Sequence, residues 1–336
     1  MTIELKPFRL ALAHTFTISR ESHDFQDSLV VCLSDKGHTG FGEATANGYY
    51  QITSASMAKE IEACQDHLEA HVFSHPKEFY KLLLAQKLSS FSRCALDLAA
   101  WDLYGKMLKK PLYQIWGTSL DYYPTTNYTI GIDSIENMLA KMKEKPWPIY
   151  KIKLGTQEDV AIVKALRAHT QAIFRVDANC AWSVSETLEN AKELQRLGVE
   201  FIEQPLAANQ WEGMKEVYEN SVLSLMADES CLLPSDVAAC LGHFHGINIK
   251  LTKCGGLSAA LSMIAEAKSL GLKTMVGCMT ESSVGISAIA QLLPQLDYVD
   301  MDGALLLKND IAKGIQINSD ASLTFPSLGG SGIELL

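Results

Sequence analysis

The chain has no CxxC pair, no HExxH, no GxGxxG and no apolar run long enough to cross a bilayer. Each absence removes a class of protein. Without a histidine pair at a strand end (His243 and His245 lie before the sixth strand) or close cysteines, structural zinc and zinc-hydrolase chemistry are disfavoured. The cysteines, Cys32, Cys64, Cys94, Cys180, Cys231, Cys240, Cys254 and Cys278, are scattered and read as small core residues in a reducing compartment. Without GxGxxG, an open dinucleotide-binding sheet lacks its phosphate loop. The start, MTIELKPFRLALAHTF, has no basic segment followed by an apolar one, so a cytoplasmic protein without membrane contact is expected. Positive charge is in deficit: 29 Lys and Arg face 39 Asp and Glu, a net charge of −10. That balance argues against nucleic acid or anionic lipid as a partner and for a small solute. A homo-oligomer is compatible with the composition.

What is present is a strong rhythm. The 336 residues are 47% hydrophobic, enough for one large core or two unequal domains. SLVVCLSDKGHTGFGEA reads as two strands around a turn at Asp35-Lys36-Gly37, and residues 54 to 107 switch to helical periodicity. An α+β unit therefore fills about the first third. After Gly117, short apolar runs recur at TTNYTIGI, YKIKLG, AIFRVDAN, EFIEQP, SLMADE, GINIKL, TMVGCM and YVDMDG, with amphipathic segments between them. About eight strands at a repeat of roughly 25 residues predict a parallel α/β barrel. The expected domains are 1–117, completed by the tail from about 310 to 336, and a barrel over 118–309.

In such a barrel, chemistry is assembled at the C-terminal ends of the strands. There the sequence places Lys151 and Lys153, Asp177 and Asn179, Glu203, Asp228 and Glu229, Lys250, and Asp300 and Asp302. Any one of these carboxylates could cap a helix or start a turn. Carboxylates on three successive strands, flanked by lysine-bearing strands, are harder to explain that way. Asp177, Glu203 and Asp228 form a hard oxygen donor set suited to Mg²⁺, leaving positions open for a substrate carboxylate.

YKIKLG puts two ammonium groups on one strand face, where they repel. A lysine can act as a base only if its pKa falls, and a neighbouring cation or a metal lowers it. Lys250 comes from the far side of the barrel. Two lysines on opposite faces of one carbon can remove a proton from one side and return it on the other, the chemistry of a racemase or epimerase.

YKIKLG, RVDANCAW, FIEQPL, MADES and INIKLTKCGG, in this order and spacing, resemble the enolase superfamily, muconate-lactonizing subgroup. GFGEA, ALDLAAWDLYGK and PLYQIWG are similar to that superfamily's capping domain and its junction with the barrel. The resemblance implies a (β/α)7β modified TIM barrel under an α+β cap. It implies that Asp177, Glu203 and Asp228 bind Mg²⁺, that Lys153 and Lys250 handle the proton of the S and R configurations, and that Lys151 assists electrostatically. Asn179 and Glu229 would stand behind them, positioning metal or lysine.

YVDMDG resembles the element by which dipeptide epimerases hold a substrate ammonium, which gives Asp300 and Asp302 that task. The implied reaction is epimerisation at the C-terminal residue of a dipeptide, as in the L-Ala-D/L-Glu epimerases of murein peptide breakdown. In the capping loop HTFTISRESHDFQDS, Arg20 would meet a Glu side chain, whereas Glu21, Asp24 and Asp27 would favour a neutral or cationic one. Syn-elimination or cycloisomerisation, as in o-succinylbenzoate synthase or muconate lactonization, would use the same metal and lysines without an ammonium. The intervals from Lys153 to Asp177 and from Asp228 to Lys250 are a few residues short for the family, implying trimmed helices or loops outside the barrel.

Overall fold

The computed structural model describes residues 1–18 and 22–336. Strand β1 (Thr2–Thr17) pairs antiparallel with β2 (Ser22–Asp35), which pairs with β3 (His38–Thr45). The β2–β3 turn has Lys36 and Gly37 at φ 49° and 77°, the two left-handed positions a tight hairpin requires.

Strand β2 explains its own run LVVCL. Leu29, Val31 and Leu33 face the cap helices Ser54–Glu62, Pro76–Leu84 and Ser90–Leu108, whereas Val30 and Cys32 pack with Val284, Ala312 and Ile333. Side chains alternate across the sheet, and both faces of this strand are covered, so no polar position is left.

Helix Ser90–Leu108 lies directly on β3. A Cβ at Gly40 would sit 2.2 Å from the Ala99 carbonyl oxygen, and one at Gly42 2.1 Å from that of Ala95. Only glycine permits this approach.

Eight parallel strands follow in sequential order: β4 (Tyr128–Ile130), β5 (Ile149–Lys153), β6 (Ile173–Asp177), β7 (Val199–Glu203), β8 (Ser224–Ala227), β9 (Gly246–Ile249), β10 (Lys273–Gly277) and β11 (Tyr298–Asp300). A parallel bridge between Thr126 and Val299 joins the two ends of the ring. The eight runs picked out by hydrophobicity each overlap one of these strands, to within one residue at the start.

The trimmed interval after Asp228 is visible here. Pro234–Asp236 and Ala238–Cys240 are single 3₁₀ turns in place of a full helix. The floor of the barrel is filled by Phe201, Met226 and Met275 with Tyr298, and Arg175 stacks 5.4 Å from the Phe201 ring and 5.1 Å from that of Tyr298.

The cap is fastened to the barrel by polar contacts. Glu43 on β3 accepts hydrogen bonds from the Ser282 hydroxyl (2.5 Å) and the Gly285 amide (3.1 Å) at the start of helix Ser283–Ala290. Asp97 accepts from the Ser258 hydroxyl (2.6 Å) and amide (2.8 Å). The tail returns to the cap: Ala312–Lys313 pairs with Glu334–Leu335, and the Gly330 amide donates to the Lys110 carbonyl. Among the described residues, no helix is long and apolar enough to cross a membrane.

Candidate active site

The C-terminal ends of the barrel strands open into a cavity of about 310 Å³, roofed by the cap. Lys151, Lys153, Asn179, Asp228, Glu229, Lys250, Asp300 and Asp302 line it. Parallel pairing sets Lys153, Asp177 and Glu203 side by side, Lys153 in register with Asp177 and Asp177 with Glu203. Within β5, Lys151 and Lys153 point into the barrel while Tyr150 and Ile152 join the outer core.

Asp177, Glu203 and Asp228 are buried, with one oxygen from each lying within 4.8 Å of the others. The lysines are drawn onto them. Lys151 Nζ lies 2.8 Å from Glu203, 2.8 Å from Asp300 and 3.2 Å from Asp177, and Lys153 Nζ 2.7 Å from Asp177. On the opposite wall, Lys250 Nζ is 3.0 Å from Asp228 Oδ2. Burial alone would lower the Lys151 ammonium, but Asp300, Glu203 and Asp177 hold it well above its ordinary value. Lys250 behaves the same way: burial would lower it and Asp228 raises it, the reverse of the lowering that the sequence reading expects of a base. The repulsion that sequence alone suggests for the pair on β5 is offset, because Asp177 Oδ2 contacts both ammonium groups, at 3.2 and 2.7 Å.

The carboxylates divide. Burial would raise Asp177, yet Lys153 and Lys151 hold it well below the usual range. Burial and the nearby Asp177 push Glu203 up to about 7. Burial and Asp300 do the same to Asp302, also to about 7. Around the cavity, Asp177, Glu203, Asp228, Glu229, Asp300 and Asp302 face Lys151, Lys153, Lys250 and Lys253. Fully ionised, this set carries two excess negative charges, which one divalent cation cancels. The donor set is all oxygen and buried, and so fits a hard cation better than zinc.

Asp300 and Asp302 differ in their commitments. Asp300 accepts from Lys151 Nζ (2.8 Å) and from Asn127 Nδ2 (2.7 Å), whereas Asp302 accepts the Thr129 amide. Asn179 donates its amide to Asp177 Oδ1 at 2.9 Å and holds φ at 45°, a strained position for a residue other than glycine. Arg20 and Glu21 lie outside the described residues. Asp27 is engaged by Arg9 at 2.8 Å and Asp24 by the Thr15 hydroxyl, and neither lines the cavity.

Three further residues matter that hydrophobic pattern and strand-end position did not single out. Lys253, one helical turn after Lys250, sits 2.7 Å from Asp228 Oδ1, so this carboxylate is gripped on both oxygens. Its K-x-x-K spacing was the available signal. Asn248 donates to Glu203 Oε1 at 2.8 Å, and it stands two residues before Lys250 on the same strand face. Gln204, at φ 35°, accepts the amides of Asp228 (2.9 Å) and Ser230 (3.1 Å) and fixes the turn bearing the third carboxylate.

A capped parallel barrel with acid and base side chains gathered at its mouth defines an enzyme scaffold, with the chemistry at the strand ends. The family models for the mandelate racemase/muconate lactonizing enzyme N-terminal domain and the enolase C-terminal domain-like fold match residues 3–117 and 134–336. The chain belongs to this family, within the enolase superfamily.

It is 64% identical to the L-Ala-D/L-amino acid epimerase of Maribacter sp., covering all of this chain and 99% of that protein. It is 56% identical to the enzyme of the same name from Flavobacterium johnsoniae, over the full length of both. Among solved structures, it is similar to the dipeptide epimerase of Enterococcus faecalis complexed with Mg and L-Leu-L-Tyr, with a TM-score of 0.92, 29% identity, and coverage of 99% of this chain and 98% of that one.

Proposed function

We propose that this chain is an Mg²⁺-dependent dipeptide epimerase that inverts the α-carbon of the C-terminal residue. It is an isomerase. The observation that carries the reading is the pair of lysines on opposite walls of one cavity, Lys153 on β5 and Lys250 after β9, with three carboxylates between them. The epimerase names of its relatives support the same reaction over elimination or cycloisomerisation.

Asp177, Glu203 and Asp228 would hold the metal, which when bound would offset the charge that develops on the substrate carboxylate. Asp302, with Asp300, receives the substrate ammonium; Asp300 shares its charge with Lys151 and keeps that cation in place. The α-carbon then lies between Lys153 and Lys250. One amine takes its proton and the other ammonium delivers a proton to the opposite face, so the stereocentre inverts with no net change of charge in the site. Lys151 stays protonated among its carboxylates and stabilises negative charge. Asn179 and Glu229 keep Asp177 and the adjoining wall in position. Reduced cysteines suit a cytoplasmic setting.

The cavity wall carries Phe16, Ile18, Met279 and Leu306 with His23, Gln26 and Thr280, which suits apolar or neutral side chains at the C-terminal residue, and the names of its relatives support L-Ala as the N-terminal residue. Incubation of a dipeptide library with the protein and Mg²⁺ in D₂O, read by mass spectrometry, tests the reading. A gain of one mass unit at the C-terminal residue of L-Ala dipeptides, abolished by EDTA, is expected. No exchange with any dipeptide would sink it.

A further inference from the structure

We propose that Tyr50, a residue of the cap, is a catalytic residue whose hydroxyl donates a hydrogen bond to the terminal carboxylate of the bound dipeptide. The proposal rests on the epimerase reading above.

Tyr50 stands between β3 and helix Ser54–Glu62, in a tight loop closed by reciprocal Asn47–Ile52 hydrogen bonds of 2.9 and 3.0 Å. Asn47 Oδ1 also accepts the Tyr50 amide at 3.2 Å. The ring is fixed on its sides. It meets Tyr49 edge-on at 4.9 Å and Phe91 at 5.7 Å, and Lys253 Nζ lies 5.4 Å from its centroid. These contacts hold the ring, and the residue lines the cavity at the barrel mouth. There the hydroxyl oxygen is buried and has no hydrogen-bond partner.

Buried polar groups are nearly always paired, because an unpaired one loses its hydration without compensation. A cap loop this well braced does not need that hydroxyl for its own fold. A ligand that enters the cavity can supply the missing acceptor. The position of the ring identifies which acceptor. Tyr50 lines the cavity together with Asp228 and Lys250, and Lys253, whose Nζ lies 5.4 Å from the ring centroid, is itself 2.7 Å from Asp228 Oδ1. Tyr50 therefore belongs to the Asp228 and Lys250 side of the cavity, the side that receives the substrate carboxylate. Asp300 and Asp302, which receive the ammonium, lie at the other end of the strand order, on β11 and just after it. As the α-proton leaves, negative charge grows on the carboxylate oxygens, so this bond strengthens toward the transition state and should appear in kcat more than in KM.

Tyr50→Phe removes the hydroxyl and keeps the ring and its packing. With an L-Ala dipeptide that the wild type exchanges in D₂O, the variant should lose about tenfold in kcat/KM, mostly in kcat. Its melting temperature without substrate should be unchanged or higher, since an unpaired hydroxyl has been removed. Wild-type kcat and KM in the variant would overturn the assignment. So would a loss of activity that comes with a lowered melting temperature, which would mark a structural role. If the wild type itself exchanged no dipeptide, the epimerase reading would fall and this proposal with it. An active wild type with an unaffected variant overturns the Tyr50 assignment alone.

Discussion

Replacing Lys151 by methionine should make the stability of the protein depend on its metal. The side chain is 1% exposed, and its ammonium is shared by Glu203, Asp300 and Asp177 at 2.8, 2.8 and 3.2 Å. Methionine has a similar length and no charge, so packing survives while three buried carboxylates lose their common counter-ion. Removing one partner from a buried ion cluster costs about 3–5 kcal/mol. Protonation of Glu203, already pushed up to about 7, absorbs part of this and favours the lower end. For a chain this long, about 3 kcal/mol corresponds to a fall in melting temperature of roughly 4–5 °C in EDTA.

Mg²⁺ at a hundred times its dissociation constant adds about 2.7 kcal/mol to any protein that binds it only when folded. In Lys151→Met the ion also relieves the repulsion left behind, so the Mg²⁺-induced rise should be larger than in the wild type. Calorimetric melting in EDTA and at stepped Mg²⁺ concentrations measures both quantities. A variant as stable as the wild type in EDTA, or one with an equal Mg²⁺ shift, would refute the charge arrangement described for the site.

Lys250→Ala and Lys153→Ala should each abolish inversion, yet each should still exchange the α-proton of one enantiomer, the one that faces the surviving lysine; NMR of separate L,L and L,D dipeptides in D₂O would show it, and equal residual exchange of both enantiomers would contradict the opposed geometry. Gly42→Ala should destabilise the cap by about 3 kcal/mol or more, because its Cβ would fall 2.1 Å from the Ala95 carbonyl oxygen and 2.4 Å from the Ala99 amide. Denaturant melts would reveal this, and a neutral result would mean that strand and helix can separate freely. Burial, with Glu43 close by, pushes Glu281 up to about 8 from 4.5. A carboxyl raised on folding stabilises fully below pH 4.5, and this contribution is lost as pH rises toward 8. The wild type should therefore lose roughly 4–5 kcal/mol relative to Glu281→Gln across that window, and parallel pH profiles of melting temperature would show that the carboxyl is not protonated in the fold.

The barrel was legible because each strand lies in a short apolar run and six of the eight end at or beside a charged residue, a pattern the ring repeats until its strands close on themselves. In the cap, the two strands were legible in SLVVCLSDKGHTGFGEA, whereas the reason for its two glycines spaced by two, gaps on one strand face against which a helix lies, came only with the structure. The grouping of Asp177, Glu203 and Asp228 followed from their places on adjacent strands. What the sequence hid is what depends on reach across the ring. Asn248 meets Glu203 two strands away, and Asn127 meets Asp300 across the closure of the barrel. Lys253 was hidden for a different reason, since it stands one helical turn beyond the strand end where charged residues were sought. Tyr50 lies in a loop whose path onto the barrel no local pattern reveals.

The end of the β1–β2 hairpin is docked onto the barrel through main-chain atoms: the Ile132 amide donates to the Thr17 carbonyl at 2.9 Å, and the Lys308 amide to that of Ala11 at 2.8 Å. Such contacts do not depend on which side chains the hairpin carries. Ile18 and His23 can therefore face the cavity without being needed to hold the hairpin in place, whereas Phe16 also packs against Leu307 and Gln26 also donates to the Ala46 carbonyl at 2.8 Å. Holding the lid and choosing the guest are thus assigned to different atoms of the same segment. A lineage, or an engineer, can rewrite the choice of side chain at these positions while the closure and the proton chemistry beneath it stay as they are.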